Sequence, residues 1–481
     1  SMNAKKQVKR AVLPIVYAIL TGFHTTYASS PAPAGSYLEA SIQQEWDDDR
    51  HFDPGGTVDA AWWRGFGDPT LDSLISIGLE NNYNVLISAR RITIARNALN
   101  TTRGQYLPTI SMNAGWEKEQ SSGLTAGRNG HAASLDYWQG SIDMSWEIDL
   151  FGRISTASKA KKAQWQASRA EYAGVMLSLE AEIATTYASL RAQQAQLAVA
   201  REHSLNQKEV AGMTEARYES GLASMLDVTQ ARRVYYSTIA SIPMLESQIK
   251  ASVNALAVLT AQNPQQLTGL VSSPSEMPGC IQIISTGLPL DLLTRRPDIA
   301  AAREQIDAAA ASVGISKKEY LPSLRIDGSI GTQAHNAGDL FSKQSFTYSV
   351  APTISWTIFD GLGRKYALAD AREQLQSAID SYNLTVLTAV TETDNAMDSY
   401  LANLQYITSL EEVVEQCKKS LKLAIDLYKL NLSAFTNVVD AQMTYLANQN
   451  TLITARHNAL TSLIAIYKAL GGGWDYGMLY K

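Results

Sequence analysis

Few side chains in this chain are arranged to make or break bonds. Its 481 residues include six histidines: His24, His51, His131, His203, His335 and His457. No H-E-x-x-H or other ligand spacing joins them. Two cysteines, Cys280 and Cys417, are too few for a disulfide scaffold or a cysteine-rich metal site, and the sequence does not say whether they pair. Gly361-Leu362-Gly363 follows an amphipathic strand, whereas a dinucleotide-binding turn follows a buried one. Gly471-Gly472-Gly473 stands at the chain end with no Lys-Ser/Thr after it, so it is no phosphate loop. The expectation is no enzyme, no cofactor and no metal. Lys and Arg number 41 against 46 Asp and Glu, a net charge of −5. That argues against nucleic acid, which wants a basic face. The charges that do form a pattern are Asp143, Glu147 and Asp149, three carboxylates on one side of an alternating segment. Their chemistry is that of water and ions.

From Trp138 to Leu150 the alternation is complete. Trp138, Gly140, Ile142, Met144, Trp146, Ile148 and Leu150 fall on one face, and Gln139, Ser141, Asp143, Ser145, Glu147 and Asp149 on the other. Period two means a strand with an apolar and a polar side. Phe346 to Ile358 repeats it, with Phe346, Tyr348, Val350, Pro352, Ile354 and Trp356 on one face. Partner strands near 107–118 and 322–333 alternate more weakly. Long strands with aromatics near their ends fit a transmembrane β-barrel. Trp138, Trp146, Phe346, Tyr348 and Trp356 are then the belt facing outer-membrane lipid. The rival is a soluble β-sandwich, but three carboxylates on the polar side suit a watery lumen better than a second packed layer. Only four such strands occur, while a barrel needs about eight, and an open edge cannot persist in lipid. The barrel must therefore be shared between chains, and two, three or four copies all give a closed count.

The elements that carry the strands come in duplicate. Tyr106-Leu107-Pro108 recurs as Tyr320-Leu321-Pro322, Ser145-Trp146 as Ser355-Trp356, and Tyr218, Leu222, Val228 and Ala231 as Tyr428, Leu432, Val438 and Ala441. Internal similarity in constant order marks two homologous halves. Each half predicts a helix (71–104, then 297–319), a β-hairpin (about 107–150, then 322–359) and a long helical hairpin (154–262, then 365–470). Residues 154–220 hold no proline, so one helix of ~100 Å is expected at 1.5 Å per residue. The helices are rich in Ala, Ser, Thr and Gln, which suits lateral packing into a wall; an exposed coiled-coil spacer is the rival reading. The expected organisation is 1–28 signal peptide with a tag remnant, 29–70 an extended segment, 71–263 the first repeat, 264–296 a linker, 297–470 the second repeat and 471–481 a C-terminal segment. Lys5, Lys6, Lys9 and Arg10 precede an apolar stretch from Ala11 to Phe23, the pattern of a secretory signal. Within it, Leu20-Thr21-Gly22-Phe23 is similar to a lipoprotein box with Phe23 in place of the acylated cysteine.

An ordered set of motifs runs through this framework. It comprises Trp62-Trp63-Arg64-Gly65-Phe66-Gly67-Asp68-Pro69, Tyr106-Leu107-Pro108, Trp146 with Asp149-Leu150-Phe151-Gly152, Arg295-Arg296-Pro297-Asp298-Ile299, Phe359-Asp360-Gly361 and Leu470-Gly471-Gly472-Gly473-Trp474. The set resembles TolC-type outer-membrane factors, specifically the NodT branch that serves RND efflux pumps. The resemblance implies an α+β membrane protein: a homotrimer with a shared 12-stranded transmembrane barrel and a long helical periplasmic tunnel. It implies a passive exit duct for small molecules, docked on a periplasmic adaptor and an inner-membrane RND pump. Segment 264–296 and the chain termini would form an equatorial belt. The turns at Gly221, Leu222, Asn431 and Leu432 would be the adaptor-contacting tips. They also read simply as turns, since Gly and Asn tolerate positive φ. Asp440 would ring the periplasmic aperture, with Asn437 standing where the first half has Asp227. Tyr428 would tether to Asp227. Ser433 stands where some members carry a tethering arginine. A type I protein-secretion channel keeps the same fold with a different cargo, and a trimeric surface protein is the non-channel rival.

Overall fold

Alternation becomes a single sheet with two chemically different faces. The structure, a computed structural model, describes residues 51–120, 134–272, 276–279 and 284–474, with Ile42, Gln43, Glu45, Trp46, Ser122 and Gly477. The predicted signal peptide, the Leu20–Phe23 box and Cys280 lie outside the described residues. Strands β1 (Thr109–Gln120), β2 (Ser134–Ile148), β3 (Ser323–Ala334) and β4 (Phe346–Ser355) pair antiparallel in chain order. The register keeps like with like. Ile142 lies opposite Met112 and Ile330, and Leu324 opposite Ile148 and Ile354. On the other face Asp143 lies opposite Ser111 and Ser329, and Glu147 opposite Arg325. A slip of one residue would turn every apolar side chain to the polar side, so the pattern itself fixes the register. The outer edges, β1 and β4, have no strand neighbour among the described residues.

Each hairpin joins its helices through the same contact. The Trp146 indole N–H donates to the Tyr106 carbonyl at 2.9 Å, and the Trp356 indole N–H to the Tyr320 carbonyl at 3.0 Å. The duplicated Tyr-Leu-Pro and Ser-Trp motifs are thus two halves of one joint, built twice.

The helix predicted over 71–104 is two helices, α1 (Pro69–Asn81) and α2 (Tyr83–Gly104). Asn82 separates them in an extended conformation. Its side chain accepts from the Asn84 and Val85 amides and donates to the Leu259 carbonyl at 2.8 Å. An asparagine that caps a helix start competes with continuing the previous helix. The long helix α3 (Arg153–Glu219) has 67 residues and returns as α4 (Met225–Thr260). A short helix, α5 (Pro264–Val271), opens the linker. The second repeat holds α6 (Pro297–Lys318), α7 (Gly363–Lys429, also 67 residues) and α8 (Phe435–Ala469). Pro243 lies inside α4. It removes the amide that would bond the Ile239 carbonyl, but its exposed position spares the packed face.

Helix α3 packs against α2 and α4 of its own repeat and against α6 and α8 of the other. Ala160, Ala163, Ala167, Ala170, Gly174, Leu177, Ala181, Ala184 and Ala188 recur along it at strict 3–4 spacing. That period of 3.5 keeps one seam of small side chains on its neighbours, which lets helix axes approach closely. Beside this seam Trp46 and residues 51–66, 284–287 and 467–474 form a belt. Phe52–Asp53 pairs parallel with Ile284–Ser285, Trp46 donates to the Gly287 carbonyl at 2.9 Å, and Trp62 stacks on Tyr467 at 5.1 Å.

Candidate functional site

The two helix turns follow the 67-residue helices α3 and α7, at the ends away from the hairpins that precede those helices. Both are built alike. Gly221 adopts φ 75°, its amide donates to the Tyr218 carbonyl at 2.9 Å, and the Leu222 amide to the Arg217 carbonyl at 2.7 Å. Asn431 adopts φ 58°, its amide donates to Tyr428 at 3.1 Å, and the Leu432 amide to Leu427 at 2.9 Å. This pair of bonds is the Schellman closure, which needs a left-handed residue at one position. Leu222 and Leu432 are exposed beyond it, 57% and 71% respectively. The packing within the chain leaves both leucines uncovered on their turns.

The starts of the return helices differ. In α4, Ser224 and Asp227 form a capping box, with the Asp227 amide donating to Ser224 Oγ at 3.2 Å. In α8 no side chain caps the helix, and Asn437 donates to Ser433 Oγ at 2.8 Å. Asp227 Oδ2 accepts the Ser224 amide at 3.4 Å and also the Tyr428 phenol at 3.2 Å. Tyr428 is buried among Val210, Ala231, Val234, Phe435, Val438 and Val439. Burial, then the nearby Asp227 carboxylate, raises its pKa above that of an ordinary phenol, so it stays a donor. The bond ties α7 of the second repeat to α4 of the first. Asp440 and Asn437 lie apart from it, exposed on the first turns of α8.

Two arginines carry weight here: Arg217, which the sequence did not single out, and Arg296, which it marked only as part of a motif. Arg217, in the last turn of α3, donates through Nη1 to the Lys429 carbonyl at 3.1 Å, bonds Asn431 Oδ1, and lies 5.0 Å from the Tyr428 ring. A cation in a last helical turn is the one signal that marked it. Arg296, within the Arg295–Ile299 motif, is buried and bonds Asp298 at 2.6 Å, Glu392 at 3.1 Å and the Ala469 carbonyl at 3.1 Å. Burial alone would lower its pKa, but Asp298 and Glu392 outweigh that and raise it. It ties the start of α6 to α7 and to the end of α8.

At the strand end Trp138, Trp146, Phe346 and Tyr348 share the apolar face, and Trp356 lies one residue past the end of β4, which stops short of the expected Ile358. Trp138 sits 6.3 Å from Trp116, and Phe346 6.3 Å from Tyr348. Trp146 follows Trp138 by eight residues, or about 26 Å along a strand, close to the ~25 Å apolar band of outer-membrane barrels. On the polar face Arg153 pairs with Glu147 at 2.8 Å and Arg325 with Asp327 at 3.3 Å. Asp143 instead accepts from Asn113 at 2.6 Å and Ser141 at 2.8 Å, both neutral. Among the described residues no cluster of His, Cys, Asp or Glu could hold a metal, and no helix is long and apolar enough to cross a membrane.

The family model described as outer membrane efflux protein matches residues 74–262 and 288–472. The chain is 28% identical over 455 residues to outer membrane protein OprJ of Pseudomonas aeruginosa, covering 94% of this chain and 95% of that one. It is 29% identical over 426 residues to the toluene efflux pump outer membrane protein TtgF of Pseudomonas putida, covering 88% of each. Among solved structures it resembles the outer-membrane channel OprN, with a TM-score of 0.84, 28% identity, and coverage of 90% of this chain and 97% of that one.

Proposed function

The chain belongs to the outer membrane efflux protein family, and we propose that three copies of it close one barrel and one helical tunnel in a tripartite pump. It acts in the outer membrane as a passive exit duct. The observation that carries the shared barrel is the sheet itself. Four strands present one apolar face and leave two edges unpaired, and lipid tolerates neither an open edge nor so narrow a barrel. Three copies give twelve strands.

In this reading the exposed turns at Gly221, Leu222, Asn431 and Leu432 meet a periplasmic adaptor, which couples the duct to an inner-membrane RND pump. The cargo is small and partly apolar, as the name of the toluene-pump relative suggests. Tyr428 and Asp227 tether the two helical hairpins and hold the tunnel end narrow, and Asp440 places three carboxylates around its axis. The experiment is planar-bilayer conductance of the purified oligomer. Tyr428→Phe combined with Asp227→Ala is expected to raise it. An unchanged conductance in an assembled oligomer overturns the tether, and a purified oligomer that never conducts overturns the duct.

A further inference from the structure

We infer that Arg217 is a positioning residue of the closed end, clamping the last turn of α7 to α3 so that Tyr428 is held against Asp227. The inference rests on the reading of Tyr428–Asp227 as a tether.

A helix leaves its last four carbonyls without intrahelical partners. In α7 each has a named donor. The Leu430 amide takes Asp426 at 3.2 Å, the Leu432 amide takes Leu427 at 2.9 Å, and the Asn431 amide takes Tyr428 at 3.1 Å. The fourth, Lys429, receives Arg217 Nη1 at 3.1 Å. The other guanidinium nitrogen, Nη2, bonds Asn431 Oδ1. A planar fork reaching two acceptors fixes position in a way a single ammonium does not. The same group lies over the Tyr428 ring at 5.0 Å, where a cation is favoured by the ring's negative face. The first repeat thus grips one tyrosine twice, by Asp227 at its hydroxyl and by Arg217 at its ring.

The duplication gives an internal comparison. The turn residue equivalent to Asn431 is Gly221, and the residue equivalent to Arg217 is Leu427. The first turn therefore uses glycine, the residue that accepts positive φ without strain. The second turn uses asparagine at φ 58°, and the Asn side chain supplies the oxygen that Arg217 holds. Leucine at 427 has no donor, so the clamp exists at one turn only and points from the first repeat to the second.

The test is conductance of purified oligomers in planar bilayers, with Tyr428→Phe/Asp227→Ala as the reference open variant. Arg217→Ala is expected to raise conductance several-fold, Arg217→Lys less, and Arg217→Ala added to the reference variant no further. Asn431→Gly is the decisive single change. It keeps the turn that Gly221 already makes and removes only the acceptor, so a purely structural role for Arg217 predicts no effect while the clamp predicts a rise. It also decides the matter if Arg217→Ala fails to assemble. Wild-type conductance in Asn431→Gly, and in Arg217→Ala where it assembles, with the reference variant open, overturns the clamp and leaves the tether standing. Wild-type conductance in the assembled reference variant as well overturns the tether, and the clamp with it.

Discussion

Glu180 is 7% exposed, and its carboxylate accepts one hydrogen bond, from the Trp62 indole at 3.3 Å. Burial outweighs that bond and pushes its pKa from the ordinary 4.5 up to about 7. A raised carboxyl pKa means the folded state holds its proton more tightly than the unfolded chain. The contribution to stability is therefore full below the ordinary carboxylate range and is lost as pH rises to about 7 and beyond. By linkage this is on the order of 3 kcal/mol across that window. Melting of the purified oligomer at pH 5 and pH 8 should show it: Glu180→Gln is expected to narrow the difference between the two and raise stability at pH 8. The same belt contains the Gly471–Gly473 run. A methyl group on Gly471 would stand 2.1 Å from the Arg295 carbonyl oxygen, and one on Gly473 2.5 Å from the Ala60 amide nitrogen. The run was legible in the sequence as a motif and as something other than a phosphate loop. Its reason was not, because close approach of distant backbone leaves no trace in local spacing. The roles of Arg296 and Arg217 were hidden for a related cause: partners that give them those roles lie 173 and 214 residues away.

At the scale of the element, what the residue pattern could reveal was parity. Period two assigned each strand residue a side, and the observed register keeps those sides across all four strands. For α3 the composition pointed only to lateral packing, and it is the structure that puts the 3–4 seam from Ala160 to Ala188 against its neighbours. The patterns were weaker at interruptions. Asn82 ends one helix and starts the next without any proline or glycine to announce it, and Pro243 is passed through without a break. The first outcome was decided by a tertiary contact, the Leu259 carbonyl, and the second by a ring that faces outward and disturbs no packing. Parity makes a sharp prediction at Ile142, which lies midway between Trp138 and Trp146 on the apolar face. Ile142→Lys is expected to cost about 2–4 kcal/mol, as for a cation at the bilayer midplane, and to abolish heat-stable oligomer in outer-membrane fractions. Ser141→Lys, one residue away and on the polar face, is expected to assemble. Loss of oligomer in both, or in neither, would remove the assignment of faces.

For the whole molecule, the count of four strands forces sharing, but the number of copies came from resemblance, since two, three and four all close a barrel. Sharing multiplies whatever charge one protomer leaves unbalanced. On the polar face of the sheet Glu147 is neutralised by Arg153 and Asp327 by Arg325, each at contact distance. Asp143 has neutral hydrogen-bond partners in Asn113, Ser141 and Ser329 and no ion pair among the described residues. At the other end Asp440 is exposed. A trimer would then carry three copies of Asp143 at one level and three of Asp440 at the other, separated by helices ~100 Å long. That exceeds the Debye length of about 8 Å at physiological salt many times over, so the two levels act as independent filters in series. Under a KCl gradient the oligomer is expected to show a cation-selective reversal potential. Asp440→Asn should lower it when the tunnel end limits the current. Once the end is opened by Tyr428→Phe with Asp227→Ala, the limiting level moves to the barrel. Asp143→Asn should then lower the reversal potential, and Asp440→Asn should lower it less than before. An anion-selective potential, or one indifferent to both substitutions, would show that the current does not pass these carboxylates.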